Sequence, residues 1–381
     1  MECINLKKCL NSFMKISIGS NIIEGPYGGG NEFIRNLYEA LKKDGHEVVF
    51  TLDDDDIDII LLTNPLSNSI NSTFDNYDID FYQKFKNPNS ISIQRINECD
   101  ERKNTKFVNK ELIKRNKNID LNIFVSNWLK NIFVDQGLDK KSSIVLMGGP
   151  TVNLFNRSGE QKKLIGDKIK IVTHHWSGNV MKGLNTYLLI DELFENKKLK
   201  DRYEFTYIGN LEEGVEFKNS KTINPLYGID LVKELKKHDI YITASINEPS
   251  GNHHMEAAML GLPILYFNSG GTPEYCDGFG LEFNSQNILQ KIEEIVSNYD
   301  HFSTALKKYP YSFENAYVHL ISFLNEALQN KDKIIKNRNN LINVIVIFNF
   351  IYSFVKRYVY KKFINTKINL GKIKRYATKV N

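Results

Sequence analysis

Short apolar runs alternate with helical periodicity along most of the chain. Residues 15–20 form a strand-length apolar run, which the glycine-rich segment 25–30 breaks. Residues 31–44 then carry Phe33, Leu37 and Leu41 at helical spacing, so the order predicted is strand, glycine loop, helix. Gly45 closes that helix, and residues 46–52, 57–63, 90–95, 121–126 and 143–147 add further strand-like runs. Helical patterns at 107–118 and 127–136 separate the later ones. A second series of the same kind has strands at 169–174, 203–209, 239–244 and 263–267. Its helices are expected at 184–194, 229–238, 253–260 and 285–299, with a last helix at 313–328. Strand–helix units repeated at this length predict parallel sheets covered on both faces.

This pattern divides the chain. Residues 14–152 read as one Rossmann-like domain and 169–312 as another. Between them lies a polar linker, 153–168, that includes Arg157-Ser158-Gly159-Glu160. Residues 313–330 follow as a helix, and 331–381 as a tail. Residues 1–13 fit no element, and Met14 opens the first strand; the extension is either an upstream start or a short tail.

Composition narrows the class. With 41% hydrophobic and 25% charged residues, 381 residues suit a two-domain globular enzyme and not a disordered or collagen-like chain. Cys3, Cys9, Cys99 and Cys276 form no C-x-x-C pair and no zinc spacing, which points to a reducing compartment, hence a cytoplasmic protein, and no structural metal. The first 13 residues lack the apolar core and cleavage site of a signal peptide. The net charge of +5 hides an asymmetry: residues 331–381 hold thirteen Lys or Arg against Asp332 alone, a balance of +12 that leaves −7 on residues 1–330. A phosphate track would spread basic residues over the folded body, so nucleic acid is not an expected partner.

The most informative stretch runs from Ser245 to Pro263. Glu248 falls in the loop after a strand, and Glu256, eight residues on, sits about one turn into the next helix. Gly251 and Asn252 lie at the helix start, where unpaired N–H groups and the positive end of the dipole suit a phosphate. Strand, small-residue loop and helix start flanked by two carboxylates compose a nucleotide-diphosphate pocket. The plainer alternative makes Glu256 a solvated helix residue and Glu248 a cap.

In order, the chain shows Gly28-Gly29-Gly30 before a helix, Lys182-Gly183, Glu248-Pro249-Ser250-Gly251 with Glu256-Ala257, Gly261-Leu262-Pro263, and Gly270-Gly271-Thr272-Pro273-Glu274. This set resembles the donor site of retaining GT-B glycosyltransferases of the family 4 type (glycosyl transferases group 1), over most of residues 14–328. The resemblance implies two doubly wound Rossmann-like α/β domains facing across a cleft, with the last helix returning to the first domain. It implies a glycosyltransferase that moves a sugar from a nucleotide-diphosphate sugar to a glycan or lipid-linked acceptor, with retention and without metal or cofactor. Carried onto this sequence, Glu248 orients the donor sugar and Glu256 accepts from the ribose hydroxyls. Gly251, Asn252 and Lys182 neutralise the diphosphate, and Gly271 belongs to the same donor site. Lys182 also has the bland alternative of a solvated lysine at a helix start.

Two positions depart from the family. Trp176 and Ser177 stand where an arginine is expected, and His174 or His175 are the nearest substitutes as donor contacts. No histidine lies between His46 and His174, so the N-domain cleft is expected to be lined instead by Arg95 or Asn97, from the polar run 94–102, beside Gly28, Gly29 and Gly30. A surface salt-bridge network would equally explain that run. A dinucleotide fingerprint fails because Phe33 occupies its third glycine, and no P-loop G-K-[ST] is present. Asp53–Asp56 reads as a solvated turn in preference to a metal-binding D-x-D. A non-catalytic nucleotide-sugar-binding scaffold and a nucleotide-sugar epimerase are the competing readings.

In the tail, twelve of the fifteen residues 341–355 are strongly apolar or aromatic, interrupted by Asn343, Asn349 and Ser353. A helix of that length spans about 22 Å, short of the ~30 Å hydrocarbon core. Asn349, Ser353 and Lys356 make a weak polar stripe, and lysines and arginines flank the run on both sides. Such a helix suits an anionic membrane surface at the cytoplasmic leaflet, where each nearby cation contributes roughly 1 kcal/mol. The alternative is a helix packed on the body or on a second subunit. On the membrane reading, truncation after Asn330 is expected to leave a soluble, donor-binding body; unfolding on truncation would mean that the tail packs.

Overall fold

The computed structural model describes residues 13–24, 28–66, 69, 71–138, 143–157, 168–338 and 341–377, with side chains as far as 363. Cys3 and Cys9, the first three residues of the glycine loop, most of the 153–168 linker and Lys379 lie outside the described residues.

The first half of the chain runs β1 (Lys15–Ile18), α1 (Gly29–Lys43), β2 (Glu47–Val49), β3 (Ile59–Leu62), α2 (Asn76–Phe85), β4 (Ile91–Ile96), α3 (Asp100–Lys103), α4 (Val108–Asn116), β5 (Leu121–Phe124), α5 (Asn127–Asp135) and β6 (Ser143–Val145). Its sheet has the order β2-β1-β3-β4-β5-β6 with every pair parallel. The second half runs β7 (Ile169–His175), α6 (Leu184–Leu193), α7 (Lys197–Arg202), β8 (Tyr203–Gly209), β9 (Lys221–Ile223), α8 (Gly228–Leu235), β10 (Ile240–Thr243), α9 (Asn252–Met259), β11 (Ile264–Phe267), α10 (Thr272–Cys276), β12 (Gly280–Phe283), α11 (Ile288–Ser297) and α12 (Tyr299–Ala305). Its sheet, β9-β8-β7-β10-β11-β12, is also parallel throughout. Strands such as β3 (IILL) and β10 (IYIT) are buried at every position, because helices cover both faces of each sheet.

In open parallel sheets ligands sit beyond the carboxyl ends of the strands, where the order reverses. Those points lie between β1 and β3 in one sheet and between β7 and β10 in the other. The glycine loop 28–30 follows β1, and the 248–252 loop follows β10.

Helix α13 (Phe313–Gln329) returns to the first half. Ala316, Leu320, Ile321 and Leu324 share one core with Ile16 and Ile18 of β1 and with Ile34, Leu37 and Leu41 of α1. The crossing is fastened where Phe313 N donates to Pro150 O at 3.0 Å and Thr151 Oγ1 donates to Glu314 at 2.5 Å.

Helix α2 was not expected. It begins at a reciprocal cap in which Tyr77 N donates to the Asp75 carboxylate and Asp75 N donates to Asp78. The tail departs from expectation in length. After α14 (Lys331–Lys336) a single helix, α15, runs from Asn343 to Ala377, about 52 Å at 1.5 Å per residue. Length therefore no longer argues against a crossing, but among the described residues no helix is both long and apolar enough to cross a membrane. The tail also packs on the body. Arg338 donates through Nε and NH2 to the buried Asp120 at 2.7 and 2.8 Å, Arg357 pairs with Asp78, and Phe350 stacks on Phe81 with centroids 4.2 Å apart.

Candidate active site

The site is built on the ends of β7 and β10. Glu248 is buried in the loop after β10, and two cations converge on it: Lys182 Nζ at 2.7 Å and Arg102 NH2 at 3.4 Å. Burial by itself would raise the Glu248 carboxyl, but Lys182 and Arg102 outweigh it and hold the group below its ordinary range. Lys182 ends a single 3-10 turn that closes at Gly183, while Arg102 comes from α3 in the other half of the chain. The α3 loop is tied by Asp100, whose carboxylate accepts from Val108 N, Asn109 N and Thr105 Oγ1. Burial opposes ionisation of Asp100, yet these hydrogen bonds prevail and hold it low.

Glu256 lies one turn into α9, and its carboxylate meets His174 Nε2 at 2.7 Å. His174 and His175 end β7, and both rings pack against that of His253. The His175 ring is buried, with Nε2 2.8 Å from the Tyr187 hydroxyl, and burial together with nearby positive groups holds it neutral. His175 thus packs between Tyr187 and Tyr207, whereas His174 is the one that meets Glu256.

Gly251 caps α9 because nothing larger fits. A Cβ there would stand 2.5 Å from His253 Cε1 and 2.7 Å from His254 Cε1. The His254 ring is wholly buried beneath this loop, and burial pushes it down to about 3. His253 is likewise held neutral by burial, its Nε2 2.8 Å from Thr243 Oγ1. The positive charge beside Glu248 thus comes from Lys182 and Arg102, not from His253 or His254. Gly271 positions the Glu248 loop, its N–H donating to Glu248 O at 2.8 Å. Gly270, at φ +69°, packs under the same loop, where a Cβ would be 2.4 Å from Glu248 N.

Across the cleft, α1 starts at Gly29 after a Gly28 cap. A Cβ on Gly29 would lie 3.1 Å from Asn252 Nδ2, so the N-termini of α1 and α9 face each other at close range. Gly28, Gly29, Gly30, Arg95 and Asn97 line one cavity of about 410 Å³, together with Glu98 and Lys103. Arg95 lies over the Phe33 ring at 4.1 Å, and burial lowers it to about 10. Asp54 and Asp56 pair with Lys15 in the turn after β2, away from this cleft. Among the described residues no group of three or more His, Cys, Asp or Glu is placed to hold a metal ion.

Sequence reading missed several residues that join the two halves. Glu274 accepts from Asn127 N, Asn127 Nδ2 and Trp128 N at 2.8, 2.9 and 2.6 Å, so it caps α5 from the opposite half. Asn247 Nδ2 donates to Glu101 O at 3.2 Å, and Tyr275 donates to Val125 O. Arg102 and Glu274 both stood inside motifs already singled out, but their partners lie about 150 residues away in sequence.

No protein-family model matches the chain, and no curated protein matches it in sequence. Solved structures match it in fold. Sucrose-phosphate synthase from Thermosynechococcus elongatus superposes with a TM-score of 0.60 at 13% identity, covering 85% of this chain and 99% of that one. A glycosyltransferase from Rickettsia africae ESF-5 gives 0.60 at 14% identity, over 86% and 100%. Anabaena Alr3699/HepE, in complex with UDP and glucose, gives 0.56 at 13% identity, over 84% and 100%. The fold is GT-B: two Rossmann-like α/β domains with a C-terminal helical region.

Proposed function

We propose that the chain is a retaining glycosyltransferase that moves a sugar from a nucleotide-diphosphate sugar to a glycan or lipid-linked acceptor at the inner face of a membrane. The observation that carries this reading is the pairing of Lys182 and Arg102 around buried Glu248, between the facing N-termini of α1 and α9. Two cations and two helix ends against one carboxylate leave a surplus of positive potential, as a departing diphosphate requires. In this reading the donor ribose sits on Glu256, whose carboxylate His174 orients, and the diphosphate sits on the amides of Gly251 and Asn252. Lys182 then stabilises the growing negative charge, and each well-placed donor of this kind is worth ~3 kcal/mol in the transition state. Glu248 positions the sugar hydroxyls. The 410 Å³ cavity lined by Arg95 and Asn97 receives the acceptor. No pair of carboxylates flanking the bond, as in a glycosidase, is required.

Arg102 bears on the scaffold alternative. The cation missing at Trp176 and Ser177 has a counterpart from the opposite half, which favours an enzyme over a fold that has lost turnover. The reading is tested by incubating candidate nucleotide sugars with and without acceptor. Release of nucleotide only with acceptor supports a transferase. Conversion of donor without acceptor means an epimerase, and no conversion with tight binding means a scaffold.

A further inference from the structure

The face of α15 that points away from the body is apolar. Val344, Phe348, Ile351, Val355 and Val359 follow one another at three- and four-residue spacing, and each is between 53% and 74% exposed. Single exposed apolar side chains are ordinary on a protein surface, but an aligned row along one helix is not. The opposite stripe holds the helix down. Val346 is buried, Phe350 stacks on Phe81, Ser353 bonds Asp75, and Arg357 pairs with Asp78. The helix thus turns its polar pairs inward and its hydrocarbon outward, the reverse of a helix that meets only water.

Charge decides what covers the row. Residues 343–377 contain eight Lys or Arg and no acid, and Lys356, Lys361 and Lys362 stand around its C-terminal end. A second copy would set one strongly basic helix against another. An anionic bilayer offers hydrocarbon to the row and phosphates to the lysines. We infer that α15 docks the protein flat on an anionic lipid surface, with Phe348, Ile351 and Val355 entering the boundary between headgroups and acyl chains. The helix lies on the membrane and does not cross it. This inference does not depend on the transfer chemistry and stands or falls without it.

The test is flotation of the full-length chain with phosphatidylcholine vesicles, with and without phosphatidylglycerol, at low salt. The protein is expected to float with the anionic vesicles. The double variant Phe348→Asp, Val355→Asp should lose binding by ~10-fold or more, and its melting temperature should stay unchanged because both side chains face outward. In Phe348→Trp, indole emission should shift to the blue on anionic vesicles. Failure of the full chain to float, equal binding to neutral vesicles, or undiminished binding of the double variant would each overturn the inference. So would light scattering that shows a dimer converted to a monomer by the double variant, since the row would then belong to a second copy.

Discussion

At Glu248 one buried carboxylate meets a lysine from its own half and an arginine from the other, and the surrounding residues differ in how they should respond to change. Lys182→Ala removes the cation that matters most while the leaving phosphate develops. It should lower kcat by ~100-fold and change donor affinity much less, in steady-state kinetics paired with titration calorimetry. Glu256→Ala should do the opposite, weakening nucleotide binding by ~10-fold because ribose hydroxyls lose their acceptor. Loss of turnover without loss of affinity there would reassign Glu256. Gly270→Ala places a Cβ against Glu248 N at a backbone angle unsuited to L residues, so both stability and activity should fall. Glu248, Gly251 and Glu256 could be read together in the sequence because they share one strand–loop–helix unit, whereas Lys182, 66 residues before Glu248, was singled out only through the resemblance. Arg102 was not, because nothing in a run of residues says which distant loop it faces. His174 was legible only as one of two neighbours, because which of them meets Glu256 depends on a helix 82 residues further along the chain.

Among the elements, α5 and α2 carry consequences. Glu274 satisfies the first amides of α5, so Glu274→Ala removes both a helix cap and a bond between the halves. It should cost ~1–2 kcal/mol, read as a lower urea midpoint, and widen the molecule in small-angle scattering. Helix α2 escaped sequence reading because only Ile79 and Tyr82 of its side chains enter the apolar core, while Asp78 and Phe81 are matched by the distant α15. It also contains Asp80, which burial raises from 3.8 to about 7, with only partial relief from Asn118. A carboxyl that binds its proton more tightly when folded contributes stability below about pH 4 and loses it as pH rises through 7. Buried His46, His175, His253 and His254 act in the other direction, since each is held below 6.5 and its contribution is lost as pH falls through that value. Asp80 and the histidines therefore oppose each other between about pH 4 and 6.5, where Asp80 loses its contribution and the histidines regain theirs as pH rises, and above about pH 7 neither changes further. Asp80→Asn should remove the Asp80 contribution alone, seen as a gain over the parent in urea midpoints that grows from about pH 4 to 7 and is level above that. A difference between the two proteins that stays constant over that interval would place the titration elsewhere.

For the whole molecule, the doubly wound architecture was readable because each βα unit announces itself through a buried apolar strand and a periodic helix. The shorter elements, such as β9, β12 and α7, were not, since three- and four-residue strands rest on neighbours more than on their own pattern. The tail's length and mounting were also hidden, because they depend on Asp75, Asp78 and Asp120 in the first half. Removing residues after Asn330 strips Arg338 and Arg357 from those buried carboxylates, so the shortened chain should melt markedly lower than the full one. Equal melting points would show that the tail is merely laid on the body.

The central claim, sugar transfer with retention from a nucleotide-diphosphate donor, is tested most directly by proton NMR of the anomeric signal during turnover. The account predicts a product anomer of the same configuration as the donor, formed only when acceptor is present and nearly absent in Lys182→Ala. Inverted configuration, or anomeric change in the donor without acceptor, would contradict it.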